Sequence, residues 1–167
     1  MSLFDALAVL HEHDTDFVVI GAFAAVAQGY PLPTEDLDIA PSRDGDNLER
    51  LAAALLELHA ELRLPGGKTH SFPIDADYLA RADSWTLATT AGPLDVLFAP
   101  TGTSGYEDLR RDAVRATLRG TPVLLASLRD IIRMKEAARR PKDEAQLPAL
   151  RRTLEVIHRR EREADST

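Results

Sequence analysis

The chain has 167 residues, 44% of them hydrophobic and 28% charged. That is the length of one ordinary domain, and the balance excludes bulk disorder. The formal net charge of −7 is the opposite of the basic surplus of a dedicated nucleic-acid binder, and the absence of Cys excludes disulfides, thiolate zinc sites, iron–sulfur clusters and cysteine nucleophiles.

A cysteine-free chain also fits a reducing cytoplasm. No segment has the apolar length that crosses a bilayer. Met1 to Asp16 carries Asp5, Glu12 and Asp14 and no Lys or Arg, unlike a secretory signal. The expectation is a cytoplasmic protein with no membrane partner, folded as a single domain over residues 1–167.

In chain order, Ser2 caps a first helix over roughly 3–13, with Leu3, Leu7 and Leu10 on one face. Phe17 to Ile20 is an apolar, β-branched run ended by Gly21 and reads as a buried strand. Ala22 to Gln28 suits a short helix stopped by Gly29. Pro31 and Pro33 keep the next stretch extended, and Leu37-Asp38-Ile39 reads as a second strand. Asp44, Asp46 and Asn47 open the clearest helix, with Leu48, Leu51, Ala52, Leu55, Leu58 and Leu62 at helical spacing, ended by Pro65-Gly66-Gly67. Residues 68–84 carry no clear period.

Trp85–Thr90 and Leu94–Phe98 form an antiparallel hairpin about Ala91-Gly92-Pro93. A helix is expected over Tyr106–Ala113. Short strands at 116–118 and 123–125 flank Gly120-Thr121-Pro122. Ser127 caps a strong helix that Pro141 ends, and a last helix covers about 143–163, with Pro148 near its start. The expected class is α/β (α+β): a mixed sheet flanked by helices, with a core over about 15–126 and a C-terminal helical part over about 127–163.

Several motifs fail. Gly66-Gly67-Lys68-Thr69 lacks the earlier glycine of a phosphate-binding loop, since that position is Leu62, and a helix is expected before it where the motif needs a strand. His11, His13, His59, His70 and His158 show no metal-ligand spacing. No Gly-x-Ser-x-Gly elbow is present.

Asp-x-Asp occurs four times in a chain with 16 Asp. Chance alone supplies about 1.5 copies, so context must separate them. Asp14/Asp16 lies in a loop, while Asp44/Asp46 and Asp75/Asp77 are helix starts. Asp36-Leu37-Asp38-Ile39 lies on an apolar strand, where residues two apart share a face. Both carboxylates then project together, and a cation relieves their repulsion. Hard oxygen donors suit Mg²⁺ or Mn²⁺. Leu94-Asp95-Val96-Leu97-Phe98 supplies a third carboxylate, which is either a hairpin residue or the completion of a site for two divalent ions. Gly21 and Ala22, at a strand-to-helix turn, are either a plain connection or a phosphate-binding helix start.

Taken in order, Gly21-Ala22, Asp36-Leu37-Asp38 and Asp95 resemble the nucleotidyltransferase superfamily with its polymerase-β-like fold. Thr34 to Ile39, Met134-Lys135 and Arg140-Pro141-Lys142-Asp143 resemble small bacterial nucleotidyltransferases related to AbiEii-type toxins of toxin–antitoxin systems. The resemblance runs from about Phe17 to Leu150. It implies that Asp36, Asp38 and Asp95 bind Mg²⁺ (or Mn²⁺) and are catalytic. It implies that Gly21, Ala22, Thr34, Lys135 and Asp143 bind a nucleoside triphosphate, with Asp143 orienting Lys135 or its helix. The implied reaction moves a nucleoside monophosphate to a hydroxyl of RNA, tRNA included, or of protein, with a cognate toxin or antitoxin as partner. Ala22 replaces the usual Gly or Ser, and Leu32 stands where many relatives carry Arg. A nucleotide- or partner-binding module of the same fold with little transferase activity is the alternative. Lys135 read alone is equally a solvated helix lysine.

The charge is uneven. Residues 1–100 hold 5 Lys/Arg against 16 Asp/Glu, and residues 101–167 hold 15 against 11. The later basic residues include Lys135, Arg139, Arg140, Lys142, Arg151 and Arg152. They either face phosphates or cover a solvated helical surface.

Overall fold

The β-branched run Phe17–Ile20 forms strand β1, and all four residues are buried. A strand buried on both faces belongs mid-sheet, and β1 is flanked there by β2 (Leu37–Pro41) and β8 (Thr121–Leu125). A computed structural model describes the whole chain, residues 1–167. The remaining strands are β3 (Glu61–Arg63), β4 (Thr69–His70), β5 (Ser84–Thr89), β6 (Gly92–Leu97) and β7 (Val114–Leu118). They make one mixed sheet in the order β4-β3-β5-β6-β2-β1-β8-β7. β2 runs parallel to β6 and β1 parallel to β8, while all other neighbours are antiparallel.

The helices are α1 (Leu3–Glu12), α2 (Gly21–Ala27), α3 (Gly45–Glu57), α4 (Ala76–Leu79), α5 (Tyr106–Arg110), α6 (Leu128–Ala138) and α7 (Pro141–Asp165). Helix α1 packs on β8 and α3, α2 on β1 and β2, and α6 on α2 and α7. One continuous apolar cluster joins them, running from Leu7 on α1 through Leu37 and Leu94 to Leu150 on α7. No helix is long and apolar enough to cross a membrane.

The expected mixed sheet with C-terminal helices is present. The differences are local. Helix α3 ends at Glu57, not near Leu62, because His59 turns into the left-handed region at φ 50°. Leu58 and Leu62 keep helical spacing by coincidence: Leu62 lies on β3 and pairs with Leu87. Gly66-Gly67 therefore follows a strand, and β4 follows in turn, so the segment is a hairpin tip with no helix after it. Within 68–84, β4 is short, and Asp75 caps α4 by accepting from the Tyr78 N–H at 2.8 Å. Phe72 stacks on Trp85 at 5.6 Å between ring centroids, and the Trp85 indole N–H donates to the Leu79 carbonyl. Helix α5 stops at Arg110, three residues earlier than expected. Pro141 is the first residue of α7 rather than a gap between helices, the position where its missing N–H costs nothing.

Asn47, fully buried on α3, fixes the open ends of β1 and β2. Its Oδ1 accepts from the Asp16 N–H at 2.7 Å, and its Nδ2 donates to the carbonyls of Asp16 and Ser42 at 3.0 and 2.8 Å. Replacing Asn47 with Ala removes its side-chain partner from the Asp16 N–H and the Ser42 carbonyl, while the Asp16 carbonyl keeps its bond from the Ser42 N–H at 2.9 Å. The substitution will lower unfolding free energy by about 2 kcal/mol in a urea melt, against about 0.5 kcal/mol or less for an exposed polar site.

Candidate active site

Leu37 and Ile39 are fully buried, so Asp38 between them points to the other face of β2. Leu94 and Val96 do the same for Asp95 on β6. The parallel register pairs Asp38 with Asp95 directly, and on the two outer sides Ile20 opposes Asp38 and Thr86 opposes Asp95. Two apolar strands thus force two carboxylates side by side. Asp36 sits exposed just before β2 rather than within it.

The electrostatics follow from this placement. Burial, then the Asp95 and Asp36 charges, push the Asp38 carboxyl up to about 6, with Lys135 and Lys142 pulling the other way. Burial raises Asp95 too, and Arg63 counters it.

Gly21, at φ 68°, is the residue that makes room. A Cβ there would stand 2.2 Å from Asp38 Oδ2, so any side chain would displace the carboxylate. Gly21 opens α2, and Ala22 is its second residue. Thr34 Oγ1 donates to the Asp36 carbonyl at 3.1 Å and steadies the loop that carries Asp36.

A cleft of about 550 Å³ separates this sheet face from α6 and α7. All eight residues singled out in the sequence line it: Gly21, Ala22, Thr34, Asp36, Asp38 and Asp95 on the sheet side, Lys135 and Asp143 on the helix side. Asp143 is fully buried and holds the helix junction together. It accepts from Lys135 Nζ at 3.3 Å and from Arg140 Nε at 2.7 Å. Burial pushes its carboxyl up, but the Arg140 and Lys135 hydrogen bonds outweigh that and hold it below the ordinary range. Lys135 is therefore a tethered cation and not a freely solvated one.

Arg140 and Lys142 also line the cleft, as two of the later basic residues. Arg151 does not: it bridges to Glu136 at 2.9 Å on the helix surface. Arg63 stands outside the residues that the sequence pattern singles out. Its guanidinium reaches from β3 to Asp95 Oδ1 at 3.0 Å. The period-two pattern of Glu61-Leu62-Arg63 carried a weak strand signal, hidden by the leucine spacing of α3. A second cavity, about 460 Å³, lies at the start of β1 among Phe17, Tyr106 and Val123, far from these carboxylates.

No three His, Asp or Glu side chains converge as a ready-made metal cage. The donor set nevertheless fits a hard divalent cation: oxygen ligands only, and crowded carboxylates of which Asp38 is raised by burial and by its acidic neighbours, a cost that a bound cation offsets.

Neither a scan of protein-family models nor a search of curated proteins gives a match. Solved structures do. The lincosamide antibiotic adenylyltransferase LnuA, lincomycin-bound, aligns over 89% of this chain and 94% of its own at 10% identity and a TM-score of 0.60. The antibiotic-resistance factor ANT(2'')-Ia in complex with adenylyl-2''-tobramycin aligns over 93% and 87% at 16% identity and a TM-score of 0.57. Its solution structure aligns over 98% and 91% at 17% identity and a TM-score of 0.53. The chain has the nucleotidyltransferase fold.

Two outcomes test the site's electrostatics. A carboxyl raised in the folded state penalises folding above its folded pKa, and the penalty disappears below the unfolded value near 4. Asp38→Asn will therefore stabilise the protein in EDTA by up to about 3 kcal/mol at pH 8, and the gain will shrink as calorimetry is repeated toward pH 4. Asp143 has the opposite sign, because its depressed carboxyl stabilises the fold above about pH 4 and loses that contribution as pH falls further. Asp143→Asn will cost about 3 kcal/mol at pH 7, and the two melting curves will converge below about pH 4.

Proposed function

We propose that this chain is a divalent-metal-dependent nucleotidyltransferase. It would move a nucleoside monophosphate from a nucleoside triphosphate to an acceptor hydroxyl. The observation that carries the reading is the Asp38–Asp95 pair on adjacent strands, with Asp36 beside it, facing Lys135, Arg140 and Lys142 across one cleft.

The residues divide the work by chemistry. Asp36, Asp38 and Asp95 would hold Mg²⁺ or Mn²⁺, which when bound neutralises phosphate charge and polarises the reacting phosphoryl group. The backbone N–H groups of Gly21 and Ala22 would receive phosphate oxygens, and Gly21 lets the backbone approach closely. Lys135, held by Asp143, would meet the triphosphate from the opposite wall, with Lys142 and Arg140 beside it. Asp95, whose carboxyl is raised by burial, would take the acceptor proton. The acceptor oxygen then forms a bond to the α-phosphorus in line as the bond to the bridging oxygen breaks, and pyrophosphate leaves.

For the acceptor, we favour an RNA end, tRNA included, or a protein side chain, in the manner of AbiEii-related proteins with a cognate toxin or antitoxin partner. The AbiEii-like residues and the basic C-terminal part support that choice. LnuA and ANT(2'')-Ia add the hydroxyls of small antibiotics to the panel. A binding module with little transfer is the second reading, favoured by Ala22, by Leu32 and by the Arg63 contact that occupies Asp95.

One assay separates these readings. Protein, Mg²⁺ and α-labelled nucleotides are incubated with total RNA, cell lysate, lincomycin or tobramycin, beside Asp36→Asn/Asp38→Asn. The expected result is label on one acceptor class that falls at least about a hundredfold in the variant. Tight nucleotide binding without transfer to any acceptor would establish the module instead.

A further inference from the structure

Arg63 has no place in the chemistry above, yet its guanidinium hydrogen-bonds the third carboxylate. It comes from β3, three strands from β2. The register carries it there. Asp38 opposes Asp95 and Asp95 opposes Thr86, while Leu62 opposes Leu87 and Arg63 opposes Thr69. One further step of the β3–β5 register sets Arg63 beside Thr86, so Asp38, Asp95, Thr86, Arg63 and Thr69 form a row across one sheet face.

The contact is selective. Arg63 Nη2 bonds Asp95 Oδ1 at 3.0 Å, and this is the only side-chain hydrogen bond Arg63 makes. Both side chains keep about three-tenths of their surface in water, at 30% and 28%. A sealed ion pair would be a structural brace. This one is open to exchange, and an open ion pair holds its partner by no more than about 1 kcal/mol.

We propose that Arg63 is a positioning residue for the third carboxylate: it occupies Asp95 Oδ1 and competes with a divalent cation for that oxygen. The Asp36/Asp38 pair then takes the cation first, and Asp95 joins when Arg63 gives way. The guanidinium keeps Asp95 oriented over the cleft until then, a place that Lys fills less well because its ammonium is more mobile and more strongly hydrated. The inference rests on the metal-binding reading of the three aspartates.

Mn²⁺ binding to the full chain, followed by electron paramagnetic resonance at pH 8 without nucleotide, tests it apart from activity. Arg63→Gln will bind Mn²⁺ about two- to fivefold more tightly than the native protein. Arg63→Lys, which keeps the charge, will fall between them, and it carries the test if Arg63→Gln melts early. The gain will vanish in an Asp95→Asn background, since it acts through that oxygen. An unchanged or weaker isotherm for both Arg63 variants overturns the proposal, and so does a gain that survives Asp95→Asn, which would mean that Arg63 acts only through its field. If either occurs while Asp38→Asn still abolishes binding, the metal-site reading stands and the role of Arg63 fails. Equal Mn²⁺ binding by the native protein and Asp38→Asn overturns both.

Discussion

The parallel pairing of β2 with β6 is the constraint on which the site depends. Leu37, Ile39, Leu94 and Val96 are each buried to about 1% exposure or less. Their burial on one face, worth about 1.5–3 kcal/mol per side chain, outweighs the repulsion between Asp38 and Asp95 on the other. The apolar face dictates register, because a one-residue slip would turn aspartates into the core and leucines into solvent. The carboxylates are therefore preorganised by hydrophobic packing and not by their own interactions. Gly21 serves the same end, since its absent side chain leaves the space that Asp38 Oδ2 fills.

The far wall of the cleft is built by a different kind of force. Arg139 turns α6 off in the left-handed region at φ 54°, and α7 starts two residues later. That junction would be a loose hinge without Asp143. Its fully buried carboxylate draws Lys135 from α6 and Arg140 from the turn onto one point. An unpaired charge so deeply buried would be very costly, so the pairings are mutually required. Carboxylates crowd one wall and cations the other, and each wall lowers the cost of the other's charge: Lys135 and Lys142 both act to lower the Asp38 carboxyl. The net charge of −7 hides this, because the acidic and basic residues come from different parts of the chain.

What could be read from the sequence was local or periodic. Phe17–Ile20 is too apolar and β-branched to be other than a buried strand, and Ala91-Gly92-Pro93 marks the hairpin of β5 and β6, although Gly92 and Pro93 lie inside β6, paired with Thr89 and Ala88, and the turn itself is Thr90-Ala91. The Ser127 cap is a three-residue signal, and its Oγ accepts from the Asp130 N–H at 3.0 Å. Asp38 and Asp95 could be singled out because a carboxylate among buried residues needs a reason, whereas Asp36, exposed just before β2, is marked only by its two-residue spacing from Asp38. Arg63 could not be singled out, for two physical reasons. Leu58 and Leu62 continue the leucine period of α3 across a turn that only the backbone of His59 reveals. Its partner Asp95 is 32 residues away, brought near by strand pairing that leaves no mark in local composition. The ion pairs of Asp143 were half legible: its motif suggested the Lys135 link, while the bond from Arg140 depends on the φ/ψ of the junction.

Arg63 also shows how the edge of a sheet can enter the chemistry at its centre. β4 has two residues and β3 has three, and the tip between them, Pro65 to Gly67, is wholly exposed. Such a hairpin contributes little apolar burial, and its local stability is expected at the low end of the range within a domain. Its anchors are the Leu62–Leu87 pairing, the Leu64 N–H bond to the Lys68 carbonyl at 2.8 Å, and the Arg63–Asp95 contact. The last of these ties an exposed edge of the sheet to a carboxylate of the site. The coupling must run both ways, since whatever weakens the Arg63 contact from the Asp95 side also loosens the hairpin, and whatever orders the hairpin favours the contact. A short edge hairpin otherwise exposed to wrong pairing thereby gains a weak, exchangeable tie to the sheet, of no more than about 1 kcal/mol, from a charge that the site itself provides.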